Sequence, residues 1–389
     1  MKNRTLLLLC LLPSLLCAQS LDEVWSQIKN NNLTISALER QMQAEKTANH
    51  VGIAPDDPEV EVAYLWGDPV AIGNRIDVSA TQSFDFPTAY LHRARIANLR
   101  DQQAELAYSQ QCNEILLQAG ELYYGIIYGN TRIRDMERCL SFLSDLAAAQ
   151  QKKLKAGEVN IFDYNKIKLT ELNLRQTMAQ VVTERDGLLL ELQQLNGGKP
   201  LTVTCDRFPE LTLPERWEER LDQAPLLRWH DKEQEIAAQQ VRLERSLWAP
   251  RLSAGYMREQ VPTELFQGVK VGVSLPLWHQ SNSLKQARLR QSAASMAATD
   301  EQLRLRSRLQ EDYAAASTLL QQAEEYRQLL ETVDSFALLR QALESGQLSI
   351  VEYLMETSIY HESHERFAEM QYKAAMRLLA LHVLCETTN

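Results

Sequence analysis

The sequence lacks the features by which enzymes and nucleic-acid-binding proteins are usually recognised. It contains no nucleophile elbow, no glycine-rich phosphate loop and no clustered acid–base set. Its formal net charge is −10, so no basic surface predicts binding to nucleic acid. We therefore expect neither catalysis nor a bound cofactor.

Cysteine is scarce, with six in 389 residues, and none stands in a CxxC or Cys/His metal spacing. Cys112 and Cys139 fall in one helical pattern and would lie about 40 Å apart, too far to bond to each other. Cys205 and Cys385 flank the ends of repeats. The sequence allows either a disulfide between them or two free thiols. His361 and His364 lie one helical turn apart, but no third ligand is evident, so no metal site is predicted.

Long hydrophobic runs are absent beyond the N-terminus. Two basic residues and an apolar run over residues 6–16 precede the small residue Ala18, a pattern typical of a signal peptide covering residues 1–18. Lipidation of Cys17 is the less favoured alternative, because leucines stand where that processing site needs small residues. No later run could span a bilayer as a helix, so any insertion into a membrane must use strands.

One short pattern occurs twice, at residues 154–164 and 343–353. Gly157 and Gly346 suit the left-handed position just past a helix end, where a side chain would clash. Asn160 and Ser349 then follow as N-caps of a second helix. The pattern predicts two equivalent tips, each joining a pair of long antiparallel helices.

Side chains around these tips are expected to stabilise the turns. Asp163 and Glu352 come three residues after the caps, where a carboxylate can reach back to the cap amide. A hydrophobic staple is expected between Val159 and Tyr164, and between Leu348 and Tyr353.

The same order of elements is predicted in both halves of the chain: helix, strand, strand, long helix, tip, helix. Repeat one covers about residues 20–198 and repeat two about residues 212–387, within one domain over residues 19–389. The first long helix, over residues 88–154, would be about 100 Å long. It carries a sustained heptad stripe, typical of a coiled coil, formed by Ile115, Ala119, Leu122, Ile126, Gly129, Ile133, Met136, Leu140, Leu143 and Ala147.

The four predicted strands alternate apolar and polar residues and so form one apolar and one polar face. Four strands cannot close a transmembrane barrel alone, and unpaired edges are not tolerated in lipid. Several copies must therefore share one barrel. Four aromatic residues near strand ends predict an interfacial girdle: Tyr64, Trp66, Tyr256 and Trp278.

With this layout the chain resembles the TolC-like outer-membrane efflux proteins, over essentially all of its length after the signal peptide. The resemblance is carried by the opening Ser20-Leu21-Asp22-Glu23-Val24, by the two strand pairs and by both tips. The modest length and unlipidated start are most similar to the branch that exports heavy-metal cations.

The resemblance implies a homotrimer in the bacterial outer membrane that extends into the periplasm. Its fold would be mainly α, with a small membrane β portion: a shared 12-stranded β-barrel and a long α-helical periplasmic barrel. The trimer would act as the exit duct of a tripartite efflux system of the RND type. Its partners would be a periplasmic adaptor (membrane fusion) protein and an inner-membrane pump.

The resemblance also implies roles for tip residues. Asp163 and Glu352 match the position that faces the pore, and they are expected to form its constriction. The family often has a second acid three residues later, where this chain has Lys166 and Met355. Contacts with the adaptor are expected at the two tips, from Gly157, Val159, Gly346 and Leu348.

Two other functions remain open from the sequence. The chain could be a periplasmic coiled-coil adaptor or scaffold that never enters the membrane, or the outer-membrane component of a type I secretion system.

Overall fold

The structure, a computed structural model, describes residues 20–276, 280–332 and 336–386. The predicted signal peptide and Trp278 lie outside these residues. The described chain is mainly helical and has one small sheet. Its helices and strands are α1 (Leu21–Asn31), α2 (Leu33–Asn49), β1 (Glu59–Leu65), β2 (Arg75–Phe84), α3 (Pro87–Lys155), α4 (Ile161–Leu195), α5 (Trp217–Arg220), α6 (Pro225–Ser246), β3 (Arg251–Gln260), β4 (Leu265–Ser274), α7 (Gln280–Thr332), α8 (Phe336–Glu344) and α9 (Ile350–Glu386).

The order of elements is the same in the two halves of the described chain. Two helices precede two strands in each half, and a long helix and a returning helix follow. Helix α3 has 69 residues and extends one residue beyond the predicted range at each end. In the second half, α7 ends before residues 333–335 of the sequence and α8 begins after them. In the described part of the chain, no helix has the length and apolar character needed to cross a membrane.

Helix α1 begins directly after Ser20 and ends before Asn32. The Ser20 hydroxyl accepts a hydrogen bond from the Glu23 amide at 3.3 Å, which caps α1. Asn32 has extended backbone angles and separates α1 from α2. Its side-chain amide donates to the Leu195 carbonyl at 2.7 Å, so the break in the helix is fixed by the end of α4.

The chain divides into two compact units, which are described separately. The first contains the described parts of Met1–Asn32, Ile115–Leu213 and Asp312–Leu381, and therefore both tips. The second contains Leu33–Glu114, Pro214–Glu311 and the described part of His382–Asn389, and therefore the sheet.

The heptad stripe of α3 forms the core of the first unit. Ile133 and Met136 pack against Val181 of α4, with partly buried Leu174, Met178 and Val182 around them. Burying each such side chain contributes roughly 1.5–3 kcal/mol. Most stripe residues are buried, including Ala119, Leu122, Ile126, Ile133, Met136, Leu143 and Ala147. The predicted coiled-coil face is therefore the face that packs.

The sheet of the second unit has four antiparallel strands in the order β1-β2-β3-β4. Val62 is opposite Val78 in the first pair, and Tyr256 of β3 is opposite both Ala80 and Val269. The pairing of β2 with β3 joins the two predicted hairpins into one sheet. Within the described residues β1 and β4 are its edges, so each has one side of its backbone unpaired by a strand.

Both tips end their first helix in the same way. The Glu158 amide donates to the Lys153 carbonyl at 3.0 Å and the Gly157 amide to the Leu154 carbonyl at 3.1 Å. At the second tip the Gln347 amide donates to the Ala342 carbonyl at 2.8 Å, and the Gly346 amide makes the equivalent bond to Leu343 at 3.1 Å. These are Schellman motifs, which require a positive φ at the glycine. Gly157 and Gly346 both have φ +73°, as predicted.

We predict that replacing either tip glycine by alanine destabilises its turn by about 1–2 kcal/mol, because alanine pays a steric penalty at positive φ. A Cβ at Gly157 or Gly346 would meet no atom within 4 Å, so the penalty comes from the backbone alone. Hydrogen exchange at the tip amides should become about five to thirty times faster.

Gly187→Ala is the matched control. Gly187 lies inside α4 with open space around it and no positive φ. Alanine is a better helix former there by about 1 kcal/mol, so exchange in α4 should slow or stay unchanged. Tip exchange that is no faster in Gly157→Ala and Gly346→Ala than in this control would contradict the argument.

Candidate functional site: the hairpin tips and the exposed sheet face

The second tip forms the predicted capping box in both directions. The Glu352 amide donates to the Ser349 hydroxyl at 3.2 Å, and the Ser349 amide donates to a Glu352 carboxylate oxygen at 2.8 Å. The hydrogen bond from the Ser349 amide, with a smaller contribution from the Ser349 hydroxyl, lowers the pKa of Glu352 below its usual range. Glu352 itself is exposed at the start of α9.

The first tip is capped differently, and the prediction for Asp163 is wrong in this respect. The Asn160 side chain accepts from the Phe162 amide at 3.1 Å, but the Asp163 carboxylate lies 3.6 Å from the Lys166 ammonium instead of bonding to the cap amide. Aspartate is one methylene shorter than the Glu or Gln preferred in a capping box. Lys166 also offers it a charge partner one turn away. At the second tip that position is Met355, so no cation competes for Glu352.

The predicted adaptor contacts differ in exposure. Gly157 and Gly346 are exposed at the turns. Val159 and Leu348 are only half-buried, and Tyr353, the predicted staple partner of Leu348, is buried with 3% exposure. Both valine and leucine therefore offer only part of their surface to a partner.

Larger exposed apolar side chains at the tips were missed by the sequence interpretation. Ile161 and Phe162 are 54% and 68% exposed in the first turn of α4, and Val351 is 44% exposed in that of α9. The sequence could have predicted this exposure, because these apolar residues follow an N-cap closely. Side chains in the first turn of a helix have no preceding turn to cover them.

The two tips also differ in charge. The last turn of α3 contains the exposed residues Lys152, Lys153 and Lys155, which complement the negative end of the helix dipole. The last turn of α8 contains no basic residue. The same backbone turn therefore presents a basic surface at the first tip but not at the second.

The returning helices α4 and α9 share one groove just beyond the tips. Lys166 and Leu169 line it from α4, and Met355 and Ile359 line it from α9. The structure thus brings together Lys166 and Met355, the two positions where the chain departs from the family pattern.

A small cavity between α3 and α9 joins residues that the sequence interpretation treated separately. His361 and His364 line it together with Asp135, Arg138 and Cys139. Burial raises the pKa of the Cys139 thiol to about 11 and lowers the pKa of His364. Both groups are therefore mostly neutral at pH 7. Among the described residues, no three His, Cys, Asp or Glu side chains have an arrangement that could hold a metal ion.

The sheet has one face covered by apolar side chains, because successive residues of a strand point to opposite sides. Val269 is 85% exposed and Val271 is 77% exposed on this face. Soluble monomers rarely expose apolar patches of this extent, which mark contacts with lipid or protein. The apolar side chains of this face include Val60, Val62, Tyr64, Ile76, Val78, Ala80, Leu252, Ala254, Tyr256, Val269, Val271 and Val273.

The opposite face is mostly polar or small, with Glu59, Glu61, Asp77, Ser79, Thr81, Arg251, Ser253, Gly255, Glu259, Lys270, Gly272 and Ser274. Arg75 binds Asp77 at 2.7 Å and Glu259 at 2.8 Å on this side. The prediction of one apolar and one polar face is confirmed.

Two of the proposed girdle aromatics lie at the hairpin end of the sheet. Tyr64 and Trp66 make an edge-to-face contact with ring centroids 5.7 Å apart, and Trp66 is 81% exposed. Tyr256, by contrast, lies in the middle row of the sheet, opposite Ala80 and Val269. It was wrongly placed near a strand end, because β3 continues to Gln260.

The fold is that of TolC-type outer-membrane efflux channels. Neither a family model nor a curated protein matches the sequence itself. Among solved structures the chain is similar to the channel-forming protein CusC, with a TM-score of 0.79 and 14% identity over 94% of this chain and 91% of that one. It is similar to the outer membrane channel CmeC of Campylobacter jejuni, with a TM-score of 0.78 and 12% identity over 94% and 85% of the two chains. The outer membrane protein VceC of Vibrio cholerae gives a TM-score of 0.76 and 12% identity over 94% and 95%.

We predict that the second tip loosens in acid. The folded-state pKa of Glu352 is lowered, so its capping bond is fully present above the ordinary glutamate pKa of about 4.3. That contribution is lost as the pH falls through the lowered folded-state pKa. Hydrogen exchange at the Ser349 and Glu352 amides, corrected for intrinsic pH dependence, should rise in that range.

Glu352→Gln is the control, because glutamine can also close a capping box but does not titrate. Exchange at the second tip of this variant should not respond to acid. An equal acid response in the variant and the wild type would show that another group controls the tip.

Proposed function

We propose that this protein is the outer-membrane exit duct of a three-part efflux system and acts as a homotrimer. The observation that carries the proposal is the sheet whose apolar face has exposed side chains on all four strands. An amphipathic antiparallel sheet with polar residues behind it is the pattern of a transmembrane barrel wall, with apolar side chains toward lipid and polar ones toward water. The likeness in fold to outer-membrane channels supports this assignment.

Three copies would complete the barrel. The unpaired edges of β1 and β4 are unfavourable in lipid, because no water can satisfy their backbone groups. If β4 of one copy pairs with β1 of the next, three sheets close into twelve strands with no free edge. Each strand has seven to ten residues, close to the length that a tilted strand needs to span the bilayer core.

The long helices would form the periplasmic part of the trimer, with the tips as the docking site for an adaptor protein. Exposed apolar residues beside the turns support such a contact, Ile161 and Phe162 at the first tip and Val351 at the second. An inner-membrane pump would supply the energy. From the sequence resemblance we also infer that this pump is of the RND type and that the cargo is heavy-metal cations.

Asp163 and Glu352 would form the constriction of the duct, as two rings of three carboxylates. Rings of acidic side chains favour the passage of cations. The ion pair with Lys166 offsets part of the charge of Asp163, so Glu352 would contribute most of the selectivity.

The oligomeric state and membrane location test the proposal together. Native mass spectrometry of protein extracted with detergent from the outer-membrane fraction should give a trimer, and planar bilayers should show discrete conductance. A water-soluble monomer or dimer would contradict the channel proposal and favour the periplasmic scaffold.

The constriction can be tested by changing its charge in both directions. Glu352→Gln should reduce cation preference in bilayer recordings, and Asp163→Asn should reduce it less, because Asp163 is already paired. Lys166→Gln serves as the matched control: it removes a positive charge at the same site and should increase cation preference. If the reversal potential of all three variants equals that of the wild type, these residues do not form the constriction.

A further inference from the structure

One cationic side chain stands on the apolar face of the sheet. Along β3, Leu252, Ala254 and Tyr256 point to this face, and alternation places Arg258 there as well. Its neighbours in the row are Val78 on β2 and Gln267 on β4. Arg258 is exposed.

Arg258 has hydrogen-bonding neighbours but no counter-charge. Its guanidinium donates to the side-chain oxygen of Gln260 at 3.1 Å. Beside it, the Tyr256 hydroxyl donates to Gln267 at 2.9 Å. In the described part of the chain, no carboxylate forms an ion pair with Arg258. The adjacent Glu259 points to the polar face and binds Arg75 at 2.8 Å.

The contrast with Lys270 shows why this position is unusual. Lys270 is also exposed, but it stands on the polar face opposite Gly255, where water would hydrate its charge. A charge on the lipid-facing side of a barrel is costly at the bilayer midplane and much less so near an interface. Arg258 lies two residues before the end of β3, or about 7 Å along the strand. Tyr64 and Trp66, side chains typical of an interface, lie at the same end of the sheet.

We propose that Arg258, with Gln260 and Gln267 beside it, binds the phosphate of an anionic membrane-lipid headgroup at the hairpin end of the sheet. This inference rests on the proposed function, since it requires the apolar face to meet lipid. A guanidinium can donate two parallel hydrogen bonds to a phosphate, and the lipid provides the negative charge that the sheet lacks. The valines around Arg258 favour a ligand with an acyl chain over a soluble anion.

The test compares lipid retention by variants of the full-length trimer. Wild type, Arg258→Gln and the control Lys270→Gln are reconstituted in vesicles of phosphatidylcholine mixed with phosphatidylglycerol or with lipid A. After extraction, native mass spectrometry counts the anionic lipids bound to each trimer. Wild type and Lys270→Gln should retain these lipids, and Arg258→Gln should bind them about tenfold more weakly. Phosphatidylcholine retention should be the same in all three.

Equal retention of anionic lipid by Arg258→Gln and wild type would overturn the inference and leave the channel proposal intact. An equal loss in Lys270→Gln would also overturn it, because net charge and not position would then control binding. Displacement of the lipid by inorganic phosphate would show a phosphate site without lipid preference and reject the lipid assignment. Failure of the wild type to enter any bilayer would overturn the channel proposal as well.

A second variant keeps the test decisive if Arg258→Gln does not assemble. Arg258→Lys retains the charge but cannot donate two parallel bonds, so it should retain an intermediate amount of anionic lipid. Retention equal to wild type would reject the two-point contact with phosphate.

Discussion

The exposed apolar face of the sheet is the constraint on which the rest of the molecule depends. Side chains such as Val269 and Val271 are more than three-quarters exposed, and burying them outside water is favourable in proportion to their area. The same sheet has two edge strands whose backbone groups need partners. A single copy satisfies neither requirement. In the proposed channel, lipid covers the face and neighbouring copies cover the edges, so membrane insertion and assembly become one event.

The two helical tips have the same backbone conformation but different charged side chains. Both turns depend on a glycine with φ +73° and on the same pair of backbone hydrogen bonds. The side chains around them then diverge. At the second tip a carboxylate closes its own capping box, and at the first tip the carboxylate turns to a lysine. An adaptor that contacts both tips would meet similar shapes but different charges.

Charge on the sheet follows a simple rule that has one exception. Charged side chains of the strands are mostly on the polar face, where ion pairs such as Arg75 with Glu259 form. Arg258 is the exception, because the alternation of β3 places it on the apolar face, close to the end of its strand. A violation of local pattern is often a functional feature, because it costs stability unless a partner compensates it. The inferred lipid contact supplies that compensation.

The sequence by itself determined the local features: element order, the heptad face of α3, the two-faced strands and the glycines at the tips. Each depends on residues close together in the chain, so spacing was sufficient to find it. Only the tertiary structure decided the rest. It showed that the two hairpins pair through β2 and β3 and that Tyr256 lies in the middle of the sheet. It also showed that Asp163 pairs with Lys166 and not with the cap amide. It also brought Cys139 beside His361 and His364. These outcomes depend on strand register, side-chain competition and contacts between distant segments, and no single window of sequence contains them.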